Sequence, residues 1–452
     1  MISERGPWDY TAQDGRLLPG GHSVRGGGVE VKLPGNGSRT RAAILAALAV
    51  VVTACGGGSS SSGVTDRSPI KVGFLVPLTG PVSGNAKAEQ QGFNLGLKDF
   101  GGTVNGRPIQ VSWADTQNDP TVALSQARQL VEAQGVDIVE GPLASNEIGA
   151  VAPYLGAHGV PTDDLAMCSS QQLDVYSKFG VGFSSGWACS QPSLMGGQYA
   201  ARDLHWKHAA VIALDFSFGW LNAGGFTAAF RANGGTVDRY FWNPITTTDF
   251  GPYVSQIPQN VDGIYVVESG QTAIRFTDAF RQFGLKGKIP VLGITQLTDY
   301  SALPAESPAS VLGTQVNAQY CDGINTADNT KFVDEYHTQY NTYPGYYSDA
   351  GYTKARLLVA ALKKLNGVTK NKKAVASTMR STPIVSSRGP VRLSGAPAFA
   401  PIQNVYICEV KQVGGVLRNV PVKTYTAVKP WGSLSQSVWE AEFRKDSAGR
   451  PA

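Results

Sequence analysis

The five cysteines of this chain carry most of its potential chemistry, and their number is odd. In an exported protein an odd count leaves one thiol unpaired, reactive or modified. No two cysteines have CxxC spacing and only five histidines are present, so a zinc or thiol-redox centre has little support. His205 and His208 stand three residues apart with no third ligand nearby, which fits a solvated helix end, and no metal is expected. Ser217-Phe218-Gly219 matches the last three positions of a nucleophile elbow, which would make a secreted serine hydrolase. Asp215 stands where the elbow needs its first glycine, and His337 is the only histidine that follows. Hydrolysis is therefore set aside and no enzyme activity is expected. Gly101 to Gly106 is a helix-ending turn rather than a phosphate loop, and no cofactor is expected.

With 42% hydrophobic and 16% charged residues and a formal net charge of +5, the chain has the composition of a globular protein. Its basic residues form no long run, so nucleic acid is not an expected partner. Arg39 and Arg41 precede the apolar run Ala42 to Val52, followed by Thr53, Ala54 and Cys55 and then the Gly/Ser tract Gly56 to Gly63. Such a run is too short to span a bilayer, which takes roughly 20 helical residues, but it suits the apolar region of an export signal. Val52-Thr53-Ala54-Cys55 resembles a bacterial lipobox, whose cysteine is acylated and becomes the first mature residue. Several acyl chains, at about 0.8 kcal/mol per buried CH₂, give a stable anchor. Residues 1–54 are thus expected to be a leader with its lipoprotein signal at 39–54, and residues 55–68 a flexible tether. A translation start near Val29 or Val31 would leave Lys32, Arg39 and Arg41 as an ordinary basic start to that signal.

From Ile70 onward short apolar runs alternate with amphipathic stretches, the pattern of βαβ units on a parallel sheet. Strands are predicted at 70–76, 109–113 and 136–140, with helices at 88–100, from Pro120, and at 147–157. After a Gly/Ser/Trp-rich break at Gly180 to Ser190 the pattern repeats, with strands at 209–214, 237–241, 261–267 and 289–294 and helices at 219–232 and up to Phe283. A strand at 314–320, helices at 330–340 and 348–365, and a hairpin about Gly414-Gly415 complete the series.

Several of these segments resemble a known family. Ile70 to Pro81 is similar to the opening strand and loop of the leucine/isoleucine/valine-type periplasmic solute-binding proteins. Val104-Asn105-Gly106-Arg107-Pro108-Ile109, the acidic stretch Asp115 to Pro120, Gly141-Pro142-Leu143-Ala144-Ser145 and Thr248-Asp249-Phe250 match its motifs in the same order. The resemblance spans roughly residues 69 to 425. It implies the type I periplasmic-binding-protein fold, two Rossmann-like α/β lobes joined by three crossing strands, with the ligand cleft between them. The lobes would be 69–187 with 318–388 and 188–317 with 389–430, leaving 431–452 as a C-terminal tail. The crossings would fall near Gly186 to Ser190, Asn317 to Tyr320 and Arg388 to Val391. The implied partners are a small-molecule solute and the permease and ATPase subunits of an ABC importer. The protein would be an extracytoplasmic monomer on its lipid anchor. A ligand-sensing module for a membrane receptor is the alternative on the same fold.

Ligands of open α/β sheets sit beyond the carboxyl ends of strands, at helix N-termini. Ser145 and Asn146 lie at such a junction and could donate to a carboxylate, or simply cap the helix. By resemblance, Asp164 to Cys168 is the second contact loop, where the backbone at Ala166 and a hydroxyl, here replaced by Cys168, would hold the ligand. Phe218 falls where the family often has a ligand-packing aromatic, and Trp187 and Trp220 would suit a planar acid. Glu268 and Thr295 follow strands of the second lobe. Amino-acid binders carry an acidic group at the position of Thr295, so a free α-amino acid is not expected unless Glu268 or Asp164 supplies the charge. With Cys55 acylated, four cysteines remain and three pairings are open. The lobe layout that the resemblance implies favours Cys168 with Cys189, both at the exit of the first lobe, leaving Cys321 with Cys408.

Overall fold

The computed structural model describes residues 66–451. The leader, Cys55 and the tether through residue 65 lie outside the described residues. Six strands, β1 (Ile70–Val76), β2 (Thr103–Val104), β3 (Arg107–Asp115), β4 (Ile138–Glu140), β5 (Thr162–Met167) and β6 (Gly182–Ala188), form a first sheet in the order β2-β3-β1-β4-β5-β6. All its pairings are parallel except the β2–β3 turn. Every residue of β1 but Lys71 is buried, as befits a parallel strand with helices on both faces.

The second sheet contains β7 (His208–Leu214), β8 (Thr236–Asn243), β9 (Gly263–Val267), β10 (Val291–Ile294), β11 (Gln315–Ala318), β12 (Ile384–Ser386), β13 (Gly389–Leu393), β14 (Pro401–Val413) and β15 (Val416–Val428). Its order is β12-β13-β14-β11-β10-β9-β7-β8, with β15 paired to β14. The strands from β11 to β8 are parallel, and β14 joins them antiparallel through β11. The chain therefore builds one α/β lobe and then a second. After β11 it returns to lay the helices Ala327–Tyr340, Tyr346–Lys364 and Lys372–Ser381 on the first lobe. Tyr336 OH donates to Gln91 Oε1 (2.8 Å) and Lys372 Nζ to the Asp137 carbonyl (2.8 Å), fixing that return.

The helix pair Ser83–Phe100 and Tyr346–Lys364 forms the spine of the first lobe. Its close approach depends on two glycines: a Cβ on Gly92 would stand 1.8 Å from the Ser348 carbonyl oxygen, and one on Gly351 2.1 Å from that of Glu89. No flexible side chain could yield there, because the obstacle is backbone.

Two expectations change in the structure. Asp164 to Cys168, expected as a loop, belongs mostly to β5, and the Gly/Ser/Trp-rich break contains β6. Neither shows apolar alternation, because β5 buries acids and β6 buries small polar residues. Those acids are partly compensated: Asp163 accepts from Ser185 N (2.7 Å) and Ser185 Oγ (2.6 Å), and Asp164 accepts at Oδ2 from Gln172 Nε2 (2.8 Å) and the Tyr176 hydroxyl, while its Oδ1 has no partner among the described residues. The second change concerns 431–452, expected as a tail. It carries the helix Gln436–Ala448, capped by Ser435, which buries Trp439 and Phe443. Trp439 Nε1 donates to Ser190 Oγ (2.9 Å), and Gly224 leaves room for Asp446, whose Oδ2 would lie 1.9 Å from a Cβ there. Two apolar residues on one face were too few to mark this helix in the sequence.

Cys168 faces Cys189 with their Cα atoms 5.1 Å apart, and Cys321 faces Cys408 at 6.5 Å. Both separations are within disulfide reach.

Candidate ligand-binding site

A cavity lies between the lobes, walled by the carboxyl ends of the parallel strands of both sheets. From the first lobe come Asn118 after β3, Leu143 to Ser145 after β4, Leu165, Ala166 and Cys168 around the end of β5, and Trp187 of β6. Val82, Asn85 and Tyr347 arrive at the starts of the two spine helices. The second lobe supplies Leu214, Phe216 and Phe218 after β7, Ile245 after β8, Ser269 after β9 and Gln296 after β10. This is where ligands of open α/β sheets bind. The lobes touch across it: Ser217 Oγ donates to Ser145 Oγ (3.0 Å) and Asn85 Nδ2 to Ser269 Oγ (3.2 Å), while Ser269 Oγ is 3.3 Å from Tyr347 OH.

Four residues expected at the site line this cavity: Ser145, Ala166, Cys168 and Phe218. Trp187 joins them, its ring 6.2 Å from that of Phe218 in an edge arrangement. Cys168 contributes its side only, since its backbone N–H is already given to Gln172 Oε1 (2.6 Å). Three expected residues stand one position away from the lining. Asn146 turns back to donate to the Asn118 carbonyl (3.0 Å). Glu268 is buried behind Ser269 with Asn243 Nδ2 at 3.4 Å, and Thr295 Oγ1 points to the Tyr320 carbonyl (3.4 Å). Trp220 is held outside by Asp215, to which its Nε1 donates at 2.9 Å. Sequence reasoning missed Asn85, Ser269, Gln296 and Tyr347. Each is polar and follows a strand or opens a helix, which was the only available signal.

Among the described residues, no Asp, Glu, Lys or Arg side chain lines the cavity. Glu147, in the first turn of the helix Ser145–Ala157, is pushed up to about 8 by burial, and Glu268 likewise. Both are therefore largely protonated at neutral pH and offer little counter-charge to an ammonium group, and the Asp164 carboxyl is turned to Gln172 and Tyr176 rather than into the cavity.

The helix starts supply the electrostatics instead. The helices Ser83–Phe100, Ser145–Ala157, Ser217–Ala232 and Gln271–Gln282 open on the cavity, and their N-cap residues, Val82, Ala144, Phe216 and Gly270, make no side-chain cap. Of the other helices, those starting at Pro120, Ser170, Ala327, Lys372 and Gln436 are capped by Asp119, Ser169, Thr326, Asn371 and Ser435, while those starting at Ser190, Gly251 and Pro308 also lack a side-chain cap. An uncapped helix start presents free N–H groups and about half a positive charge. Two buried acceptors, Asn85 Oδ1 and Gln296 Oε1, also have no protein partner, in side chains only 1% exposed.

Features of other chemistries are used up elsewhere. Ser217 starts a helix and bonds to Ser145, while His337 is stacked on Tyr343 with ring centroids 4.4 Å apart. His208 pairs with Asp238 (3.0 Å), and among the described residues no cluster of His, Cys, Asp or Glu could hold a metal.

The family model described as periplasmic binding protein matches residues 69–415. The Leu/Ile/Val-binding protein homolog 6 of Brucella melitensis is 27% identical over 367 residues, covering 79% of this chain and 91% of that protein. A solute-binding protein of an ABC transporter from Rhodopseudomonas palustris BisB5, solved with 3,4-dihydroxybenzoic acid, superposes with a TM-score of 0.75 at 26% identity, covering 81% of this chain and 99% of that one. An ABC transporter substrate-binding protein from Sphaerobacter thermophilus gives 0.75 at 27% identity, covering 80% and 99%.

Proposed function

The chain belongs to the periplasmic binding protein family, and from that premise we propose that it is an extracytoplasmic lipoprotein, anchored through Cys55, that delivers a small aromatic or polar acid to the permease and ATPase of an ABC importer. The family is one of binding proteins rather than catalysts, and a solute-binding role for an ABC transporter follows from it. The observation that carries the finer reading is the set of four uncapped helix starts around a cavity without charged side chains. That field favours an anion. Trp187, Phe216, Phe218 and the leucines around them favour an apolar, planar body. Asn85 Oδ1 and Gln296 Oε1 ask for a hydrogen-bond donor on that body, such as a ring hydroxyl. A zwitterionic amino acid could give hydrogen bonds to those oxygens but would leave its ammonium without a counter-charge, among uncapped helix starts of the same sign. The R. palustris neighbour solved with 3,4-dihydroxybenzoic acid supports the same reading.

Thermal-shift and calorimetric titrations of the full chain test this. Hydroxybenzoates should raise the melting point and bind with micromolar or tighter affinity, while leucine, isoleucine and valine should not. Strong stabilisation by the branched-chain amino acids without any by aromatic acids overturns the ligand class. For the anchor, Cys55→Ala should move the protein from the membrane to the soluble fraction.

A further inference from the structure

The helix Tyr346–Lys364 has no cap of its own. Its N-cap position is Gly345, which has no side chain, and the acid of its first turn, Asp349, is committed to Arg388 (3.2 Å) and Ser387. The missing cap comes from the other lobe. Asp299 follows β10 and the short turn Thr295–Thr298 of the second lobe, and its Oδ2 accepts from the Tyr346 N–H of the first lobe at 2.5 Å. Its other oxygen accepts from Ser301 N (2.8 Å), and the residue is 2% exposed. The fit dictates glycine at 345, because a Cβ there would lie 2.2 Å from Asp299 Oδ2. The next residue, Tyr347, lines the cavity and meets Ser269 of the second lobe.

We infer that Asp299 is a closure latch, a positioning residue that one lobe lends to the other as a helix cap. In the closed arrangement the carboxylate satisfies the first-lobe helix and faces its positive end; opening separates them and leaves both without a partner. The latch adds to the closed state a contact that no solute makes, and it holds Tyr347 at the ligand. Solute affinity therefore includes a share set by Asp299, because apparent affinity scales with the fraction of molecules able to close. Closure is the only part of the solute-binding reading on which this depends.

Asp299→Ala in the full chain tests it, with and without 3,4-dihydroxybenzoate. Small-angle scattering should show a larger radius of gyration than the unsubstituted protein in both conditions. Stopped-flow binding should show a dissociation rate raised about thirtyfold or more with an almost unchanged association rate, as for the loss of a buried charged hydrogen bond. Because the substitution also removes a helix cap, Asp299→Ala with Gly345→Ser separates the two roles. The serine can cap the helix from within its own lobe, so the double variant should regain the lost melting temperature and still be open and quick to release. An unchanged radius of gyration in Asp299→Ala, or recovery of the slow dissociation rate along with stability in the double variant, overturns the latch. If 3,4-dihydroxybenzoate does not bind the unsubstituted protein, the ligand reading fails while the scattering comparison still decides the latch.

Discussion

Raising the pH should weaken the first lobe, and the acids buried beneath the cavity set the size of the effect. Glu89, Glu140, Asp163 and Asp164 are fully buried around one lysine, Lys354. Its Nζ lies 3.6 Å from Glu89 and 3.5 Å from Glu140 and donates to the Asp163 carbonyl at 2.7 Å. One ammonium cannot neutralise four carboxylates, and the nearby Arg388 is paired with Asp349. Burial accordingly holds Glu89 and Asp164 each up to about 7, from ordinary values of 4.5 and 3.8. Between those values and 7 the folded protein keeps protons that the unfolded chain has released. The stabilisation is thus complete below about pH 4 and is lost as pH rises through about 7. Shifts of this size correspond to roughly 3–4 kcal/mol per group. A chain this long gains or loses on the order of 1–2 °C of melting temperature per kcal/mol, so the two acids together should move it by about 6–16 °C over their full titration. Melting curves followed by near-ultraviolet circular dichroism from pH 5 to 9 at fixed ionic strength would measure this. The unsubstituted protein should melt lower as the pH rises from 5 to 8. Glu89→Gln should match it near pH 5 and decline less steeply, the remainder coming from Asp164 and from the other acids raised by burial, Glu147 and Glu268 among them. Equal destabilisation of Glu89→Gln at pH 5 and pH 8 would show that Glu89 is the ionised partner of Lys354, and would refute the reasoning.

Two further outcomes follow from the site and the cysteines. Ser145→Ala should weaken binding of a hydroxybenzoate about tenfold by calorimetry, the worth of a hydrogen bond to a charged group, and an unchanged affinity would remove Ser145 from the ligand. Replacing Cys168 and Cys189 together by serine should cost about 3 kcal/mol in urea unfolding if they form a disulfide, since the pair closes a segment of 21 residues. Equal unfolding midpoints for the two proteins would mean that the thiols are free.

The alternation of apolar strands and amphipathic helices from Ile70 to Val267 was legible because parallel strands covered on both faces are written as nearly unbroken apolar runs. The segments that escaped were those whose burial is polar. β5 hides Asp163 and Asp164 behind Ser185, Gln172 and Tyr176, partners 8 to 22 residues away. The same limit shaped the site. Asn146, Glu268 and Thr295 were each one residue from a lining position, at Ser145, Ser269 and Gln296. Successive side chains at a helix start or turn, as at Ser145 and Asn146 or at Thr295 and Gln296, point in different directions, so the junction is marked in the sequence while the side facing the cavity is not.

By itself, then, the sequence determined the order of the elements, the motifs of the family and the junctions where a ligand could meet helix starts, because these depend on local periodicity and turn chemistry. Only the tertiary structure decided which side chains converge, which helix starts stay uncapped, and that Asp299 completes a helix of the opposite lobe. Those depend on residues that are far apart in the chain and meet only in the folded protein.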